Sequence, residues 1–362
     1  MLEHLDDPHG FDPSDSFRAA TRRRARQLHR RRRTRRIALT SLLPVAGVVG
    51  AVTVYDHRLD RVRRIESANP TKGGDPLATG APVNLLLLGL NAQEDLPIED
   101  RDPTTRADST VVLRLEGQSV SLLSIPRDLW TGSGKLNELS FDGTRSWLRS
   151  TLGIDTDHVI MMNTVGLGRL AERVRPRVRL ELPVRDRKSG LDLPAGCQTL
   201  DGPRTVAYTR ARHLEDLPGD PGSWRMDPSG DIGRVVRLQS LMVTAWGQLR
   251  RLGLGDLPEL VDILVDHAFV DDDLDNGDLV ALARRIRAAT NPPATHTLPT
   301  ASAVSADGAA VLSITPDDAA TAAALEAVGG RLSTSAPTLP PAPVVDGEPS
   351  HAAWGLGQVS AC

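Results

Sequence analysis

Aromatic residues and cysteines are scarce in this chain of 362 residues. Phe, Trp and Tyr make up 3% of it, so Leu, Val, Ala and Ile must fill most of any core. The two cysteines, Cys197 and Cys362, form by their spacing neither a metal-binding motif nor a redox pair. A disulfide between them is permitted outside the cytoplasm, whereas a loose C-terminal tail would leave them apart.

The common catalytic signatures are also missing. The sequence has no Gly-rich phosphate loop, no nucleophile elbow and no cluster of His and Cys with metal-binding spacing. It has no internal repeat either. Any catalytic chemistry must therefore come from residues outside these motifs.

Charge is divided unevenly along the chain, whose formal net charge is −3. Residues 1–55 carry eleven Arg and five acidic residues, whereas the other 307 residues carry 32 basic and 41 acidic ones. Such asymmetry usually separates two compartments or two binding partners.

An uncharged segment follows the arginine-rich N-terminus. Ten of the fifteen residues in 22–36 are Arg, and the nineteen residues Ile37–Tyr55 have no charge. At about 1.5 Å per residue this segment reaches across a ~30 Å hydrocarbon layer, with the arginines on the cytoplasmic side. We predict a cytoplasmic tail (1–36) and an uncleaved, single-pass transmembrane anchor (37–55) in the cell membrane, with the remainder extracytoplasmic. A buried core helix, a cleaved signal peptide and a nucleic-acid-binding arm are the alternatives.

Residues 82–332 are predicted to form one α/β domain with a central mixed β-sheet flanked by helices. Residues 56–81 are typical of a linker, and the Pro/Ala-rich residues 333–362 are typical of a tail with little order. Periodicity predicts strands at 83–90, 109–115 and 119–125, the last two as a hairpin, and strand character over 304–314. It predicts helices at 146–152, 165–174, 233–252, 257–267, 278–288 and 317–328, with the acidic residues of 271–275 in an N-terminal turn before 278–288.

Arginines next to carboxylates recur at predicted strand ends and turns. They lie in Arg106–Thr110, Ser124–Asp128, Tyr208–His213 and Asp231–Arg237. Arg210 and Arg212 would share one side of an extended segment, and Arg234 and Arg237 share one face of a helix. Guanidinium groups are permanently charged and bind phosphate oxygens in bidentate fashion. The pattern predicts a site for a doubly negative, oxygen-rich group, against the alternative of separate surface ion pairs.

These segments resemble, in order and context, the motifs of LytR–CpsA–Psr domains. The resemblance extends to Asn84–Leu90, Lys135–Asn137, Leu200–Gly202, Trp224 and Asp227–Pro228. It covers residues 83 to about 250, and a preceding membrane anchor is typical of the family. Ser124–Asp128 and the two-arginine segment together are its most specific part. The chain thus resembles a cell-wall glycopolymer transferase of the actinobacterial type.

The resemblance implies that a polyprenyl-pyrophosphate lipid lies in a hydrophobic pocket between the sheet and the helices. The enzyme would move a glycopolymer, such as teichoic acid, from this carrier to a muramyl hydroxyl of peptidoglycan and release polyprenyl phosphate. Its partners would be the lipid-linked glycopolymer, peptidoglycan and the membrane, but not nucleic acid. The family's pyrophosphate-binding positions match Arg106, Arg127, Arg210, Arg212, Arg234 and Arg237.

The catalytic residues implied by the resemblance are Arg106, Asp108, Arg127, Arg210, Arg212 and Asp231. Asp108 matches the family's ligand for Mg²⁺ (or Mn²⁺), and either Asp108 or Asp231 could accept the proton of the acceptor hydroxyl. His213, beside Arg212, is predicted to be a hydrogen-bonded structural group.

Three positions depart from the family pattern. Asn91 stands where the family often has an acid, Leu238 stands where it has Gln, with Gln239 adjacent, and the arginine-rich stretch 173–187 replaces a Gly-Gly-Val segment. That stretch could face the acceptor or be a solvated strand. Three other functions stay open: a non-catalytic lipid-binding homologue, a pyrophosphatase and a cytoplasmic regulator whose N-terminus binds nucleic acid.

Overall fold

The computed structural model describes residues 57–67, 76–90, 107–219, 222–227, 229–252 and 256–341. The predicted anchor at 37–55 lies outside these ranges, as do Asn91, Arg106 and Cys362. Within the described ranges, every helix is too short or too polar to cross a membrane. The predicted topology therefore stays a prediction, and a disulfide between Cys197 and Cys362 stays an alternative that the sequence permits.

The described strands and helices alternate along the chain. The strands are β1 (Arg63–Ile65), β2 (Val83–Leu90), β3 (Ala107–Glu116), β4 (Ser119–Ile125), β5 (His158–Asn163), β6 (Arg177–Leu180), β7 (Val184–Asp186), β8 (Leu191–Leu193), β9 (Gly196–Thr199), β10 (Glu215–Asp216), β11 (Arg225–Met226), β12 (Ala268–Asp271), β13 (Ala294–Thr297), β14 (Thr300–Val304) and β15 (Ala310–Ile314). The helices are α1 (Pro76–Thr79), α2 (Phe141–Leu152), α3 (Thr164–Val174), α4 (Gly202–Arg210), α5 (Gly230–Leu249), α6 (Leu257–His267), α7 (Asn276–Ala288) and α8 (Ala319–Glu326).

Seven strands form the central sheet, in the order β1-β12-β5-β2-β3-β4-β13. The pairs β2–β3, β3–β4 and β5–β12 are antiparallel, whereas β1–β12, β2–β5 and β4–β13 are parallel. The central strand β2 is buried along most of its length, as its uninterrupted apolar sequence predicts. The predicted α/β class with a mixed sheet is confirmed, and so is the hairpin of β3 and β4.

Helices cover both faces of this sheet. On one face Leu86 belongs to a core with Leu148 of α2 and Leu325 of α8. On the other face Leu85 belongs to a second core with Trp246 of α5. Because successive strand residues point to opposite faces, the apolar run of β2 supplies both cores.

Several predicted boundaries differ from the structure. Helix α2 begins at Phe141, because the side chain of Ser140 accepts a hydrogen bond from the Gly143 N–H at 3.1 Å. Helix α5 runs over Gly230–Leu249 and thus starts and ends earlier than 233–252. The strand character of 304–314 belongs to a hairpin, in which β14 and β15 pair antiparallel.

The extended conformation considered for Tyr208–His213 is wrong. Residues up to Arg210 are the end of α4, which Asp201 caps by accepting from the Arg204 N–H at 2.9 Å. A proline in the first turn favours the same helix start. Arg210 and Arg212 therefore do not share a strand face: Arg210 is exposed on the helix, and Arg212 follows it in a loop.

The arginine-rich stretch 173–187 contains β6 and β7 and forms ion pairs within the domain. Arg179 lies 3.3 Å from Glu181, and Arg185 lies 2.5 Å from Glu215. Arg173 pairs with Asp256 at the start of α6. These contacts favour the interpretation as a structural, solvated stretch.

The predicted linker (56–81) and the predicted tail (333–362) both contribute described residues that bond to the domain. The predicted linker contains β1, whose Arg64 donates to the Asn276 side chain at 2.7 Å. In the predicted tail, the Ser333 N–H donates to the Thr151 carbonyl at 2.8 Å, and the Leu339 N–H donates to Ser313 Oγ at 2.8 Å. Little order was predicted from residue 333, but residues 333–341 are held by these bonds.

A buried charged cluster connects β5, β12 and α2. Asp271 ends β12 and is fully buried, so its assignment to the N-terminal turn of α7 is wrong; Asp275 caps that helix. His158 Nδ1 lies 3.4 Å from Asp271 Oδ1, and Arg145 lies 3.9 Å from Asp271 Oδ2. Burial lowers the pKa of His158, but the neighbouring carboxylates, Asp271 foremost and then Asp157 and Asp278, together outweigh burial, so this pKa is raised above its ordinary 6.5.

The raised pKa predicts that stability depends on pH. Because the folded state holds the His158 proton more tightly than the unfolded state, the free energy of unfolding should fall as pH rises above 6.5 through the folded pKa. One proton limits the slope to about 1.4 kcal/mol per pH unit. Urea unfolding between pH 6 and pH 8 measures this dependence. Asp271→Asn should abolish it, and an unchanged slope in that variant would contradict the assignment to this pair.

Candidate phosphate-binding site

The loop after β4 places Arg127 at one end of the sheet. The Arg127 carbonyl accepts from the Asn137 N–H at 3.1 Å, and the Leu129 carbonyl accepts from the Leu136 N–H at 2.8 Å. On the other side, the Asp128 carbonyl accepts from the Leu312 N–H at 2.9 Å. The backbone of Arg127 and Asp128 is thus fixed by the 3₁₀ turn at Leu136–Glu138 and by β15.

Two carboxylates lie against this arginine. Arg127 donates to Asp108 Oδ1 at the start of β3, and its Nε lies 3.9 Å from Asp231 Oδ1 in the first turn of α5. Arg234, one turn along α5, donates to Asp231 Oδ1 at 2.9 Å and to the Asp108 carbonyl at 2.7 Å. These four side chains therefore join the end of the β3–β4 hairpin to the N-terminus of α5.

Arg212 reaches the same carboxylate from the loop after α4. Its Nε lies 3.7 Å from Asp231 Oδ1. Arg237 lies a further turn along α5, where it donates to the Ala211 carbonyl and lies 3.6 Å from Asp227. Burial lowers the pKa of Arg237 and raises the pKa of Tyr208, which lies near it. Through its hydrogen bond to the Ala211 carbonyl, Arg237 holds the Arg212 loop against α5.

Several buried polar atoms in this cluster have no hydrogen-bond partner among the described residues. They are Arg127 Nε, Arg212 Nη2, Arg237 Nε and Nη1, Asp231 Oδ2 and Ser124 Oγ. Buried polar groups are nearly always hydrogen-bonded, so such a group indicates a partner beyond the described residues. The guanidinium N–H groups among them are donors of the kind that bind an oxygen-rich anion.

Most of the predicted site residues meet here. The cluster contains Asp108, Arg127, Arg212, Asp231 and Arg234, with Arg237 behind it. Arg106 lies outside the described residues, and Arg210 is the exposed last residue of α4, so their predicted roles stay predictions.

The sequence-based residue set left out two charged neighbours of Arg127. Asp128 lies 3.8 Å from Arg127 Nε and 3.1 Å from Lys135 Nζ. Both residues stand inside segments that carry the family resemblance, which is the signal that could have identified them. They add one anion and one cation, so the cluster keeps its excess of cationic side chains.

A narrow cleft runs from the cluster between the sheet and α5. Its lining combines Ser109, Thr110, Val111, Ser124 and Ile125 of the hairpin with Arg234, Val235 and Leu238 of α5, and it has room for about one water molecule. Leu238, one of the departures from the family pattern, lines this cleft with an apolar side chain. Gln239 does not replace the missing Gln, because its amide donates to the His296 carbonyl at 2.5 Å.

Asp108, which the family resemblance implies as the metal ligand, lies at this site with its carboxylate against Arg127. Within the described ranges, no three His, Cys, Asp or Glu side chains form a metal-binding group. Mg²⁺ in phosphate-binding sites often takes one or two protein carboxylates and completes its shell with phosphate oxygens and water. A carboxylate beside the arginines of the cluster suits such a shared ion.

Comparison with known proteins identifies the family. A model of the LytR_cpsA_psr family matches residues 48–324, which is most of the chain. The chain belongs to this family. The probable cell wall biosynthesis protein LcpB of Corynebacterium glutamicum is 29% identical over 220 residues, which cover 53% of the chain and 48% of that relative. The chain thus spans about half the length of this member of the LytR–CpsA–Psr family.

Solved structures have the same fold. A LytR-Csp2A-Psr enzyme from Actinomyces oris matches with a TM-score of 0.59 and 23% identity, covering 74% of this chain and 96% of that one. A structure of TagT bound to LIIa-WTA matches with a TM-score of 0.51 and 19% identity, covering 73% and 93%. At these identities the likeness establishes the fold, and the substrate has to be argued from the residues.

Proposed function

We propose that this protein transfers a glycopolymer from a polyprenyl-pyrophosphate carrier to peptidoglycan and releases polyprenyl phosphate. The observation that carries the proposal is the pair of buried guanidinium N–H groups, Arg127 Nε of the β4 loop and Arg212 Nη2 of the α4 loop, that have no hydrogen-bond partner among the described residues. Arg237 of α5 lies behind them with two further such groups. Membership of the LytR–CpsA–Psr family and the LIIa-WTA bound to the related TagT support it. The cleft beside Arg234, where Val111, Ile125, Val235 and Leu238 stand among polar residues, is where the lipid would enter, and it must widen to admit a hydrocarbon chain.

In the proposed reaction, an acceptor hydroxyl oxygen bonds to the phosphorus next to the glycopolymer. The bond from that phosphorus to the bridging oxygen breaks, and polyprenyl phosphate leaves with the electron pair. Arg127, Arg212 and Arg234 hold the phosphates and stabilise their negative charge, so the protein contributes mainly positioning and electrostatics.

The acceptor proton needs a base, and two carboxylates lie in the cluster. The side chain of Asp108 is 28% exposed and that of Asp231 is 14% exposed, so Asp108 is better placed for an acceptor that arrives from solvent. Mg²⁺ held by Asp108 would supply further neutralisation of phosphate charge, and it would leave Asp231 as the base because a metal-bound carboxylate accepts a proton poorly.

The test uses the full-length chain in detergent with a polyprenyl-pyrophosphoryl glycan, with and without Mg²⁺ and peptidoglycan. We expect polyprenyl phosphate to be released and the glycan to become covalently attached to peptidoglycan, and both products should depend on Mg²⁺. The divalent ion must be removed with a chelator in the matched control. Binding of the lipid without any release would contradict transfer and favour a non-catalytic homologue.

Hydrolysis is the second candidate, because water can attack the same phosphorus. The partial exposure of Asp108 and Arg127 leaves the site open to solvent, which favours this side reaction. It would appear as release of polyprenyl phosphate that continues without peptidoglycan and leaves a free glycan phosphate.

A further inference from the structure

Asp186, the last residue of β7, connects two loops through its carboxylate. One oxygen, Oδ1, accepts from the backbone N–H groups of Lys188 at 2.8 Å and Ser189 at 3.2 Å. The other, Oδ2, accepts from the backbone N–H groups of Arg212 at 2.8 Å and His213 at 2.9 Å. The residue is 1% exposed. A single buried side chain thus holds the turn after β7 to the loop after α4.

The four hydrogen bonds explain how this carboxylate remains buried. Among the described residues, no arginine or lysine forms an ion pair with Asp186, so the four backbone N–H groups are the direct partners that compensate its charge. The positive charge of the buried Arg237 acts on it from farther away. Two bonds to each oxygen use the acceptor capacity of an ionised carboxylate. Asp186 is therefore not available to bind a substrate or a metal, and its effect must pass through the loops that it holds.

One of these loops carries a phosphate-site arginine. With its backbone N–H fixed by Asp186, Arg212 directs its side chain to Asp231, 3.7 Å from Nε to Oδ1, and leaves Nη2 buried without a hydrogen bond. On the outer side of the same loop, Lys188 Nζ lies 2.9 Å from His213 Nε2. This second contact closes the two loops against each other at the surface.

We propose that Asp186 is a positioning residue that holds Arg212 in its phosphate-binding orientation. The inference rests on the proposed function for the role of Arg212, but it concerns anion binding and needs no group transfer. Asp186→Asn keeps the shape of the side chain and leaves one carbonyl oxygen. The amide N–H₂ then faces two backbone N–H donors, so only one of the two loops can remain bound.

The test is a double-mutant cycle on the full-length chain, with inorganic pyrophosphate as the probe and calorimetry as the measurement. We expect Asp186→Asn to weaken pyrophosphate binding roughly tenfold or more, as the loss of a residue behind a ligand-binding group does. In an Arg212→Ala background the same substitution should change the affinity by less than about twofold, because the side chain that Asp186 positions is absent. Asp186→Glu, which keeps the charge, should give a smaller loss in the first background and none in the second.

A control variant on α4, the helix that precedes the Arg212 loop, distinguishes loss of stability from loss of positioning. Asp201→Ala removes the N-cap of α4, at the end opposite the Arg212 loop, and should lower the unfolding temperature without changing pyrophosphate affinity. Unchanged affinity in Asp186→Asn, or an equal loss with and without Arg212, would overturn the proposal. If the cycle shows coupling but the unmodified chain releases no polyprenyl phosphate, the proposed transfer fails and the positioning role stands.

Discussion

Replacing Arg127 by alanine is expected to slow the release of polyprenyl phosphate by about 10³-fold or more, the scale of losing a phosphate-stabilising arginine. Arg127 donates to Asp108 and has a buried Nε without a hydrogen bond, within 3.9 Å of both Asp128 and Asp231. Its removal deletes donors for the phosphates. It also takes away the positive charge that lies beside three carboxylates, those of Asp108, Asp128 and Asp231. The incoming pyrophosphate then meets repulsion where it met attraction.

The matched variants separate charge from geometry. Arg127→Lys keeps the positive charge and loses the planar pair of donors, so it should restore only part of the rate. Arg179→Ala removes an arginine that pairs with Glu181 at the surface and should leave the rate unchanged. Release by Arg127→Ala within about tenfold of the unmodified chain would contradict the assignment of Arg127 to the transferring phosphates.

Some elements could be predicted from local sequence because local physics decides them. The uninterrupted apolar run of Val83–Leu90 has few alternatives to a doubly buried strand, and the structure places β2 at these residues. The helix at Leu257–His267 is also bounded as predicted. By contrast, Arg63–Ile65 is a strand only because it pairs with β12, about two hundred residues later in the chain, and nothing in its charged sequence indicates that partner.

The site residues also divide into those that the sequence could predict and those that depend on distant contacts. The segments that resemble the family contain Asp108, Arg127, Asp231 and Arg234, and the fold brings them together. Whether Arg210 or Arg212 faces the cluster depended on whether the segment is helical or extended, which the spacing of the two arginines does not decide. Asp186 lies in no such segment, and its bonds to Arg212 and His213 span 26 and 27 residues, so only the structure identifies it.

Replacing Arg145 by alanine is expected to destabilise the domain by about 3–5 kcal/mol at pH 8, the scale of breaking a buried ion pair from one side. Arg145 is 4% exposed and donates to Ser67 Oγ at 2.5 Å and to the Thr156 carbonyl at 2.8 Å. Its loss leaves the fully buried Asp271 with the Val159 N–H at 3.1 Å and the His158 ring as its neighbours. Urea unfolding of the full chain, followed by tryptophan fluorescence, measures the difference.

The loss should be smaller at pH 6, and this difference tests the cluster as a unit. A proton on His158 restores a positive charge beside Asp271, and since the Asp271 carboxylate already raises the pKa of His158, removal of Arg145 makes that proton more favourable.

Arg149→Ala, one turn along α2, is the control: its side chain is 43% exposed and its partner Asp155 is 74% exposed, so we expect a change of at most about 1 kcal/mol at either pH. Equal destabilisation by Arg145→Ala at pH 6 and pH 8 would show that Arg145 acts through its hydrogen bonds to Ser67 and Thr156 alone. A loss confined to high pH would instead show that two cations share the compensation of one buried carboxylate.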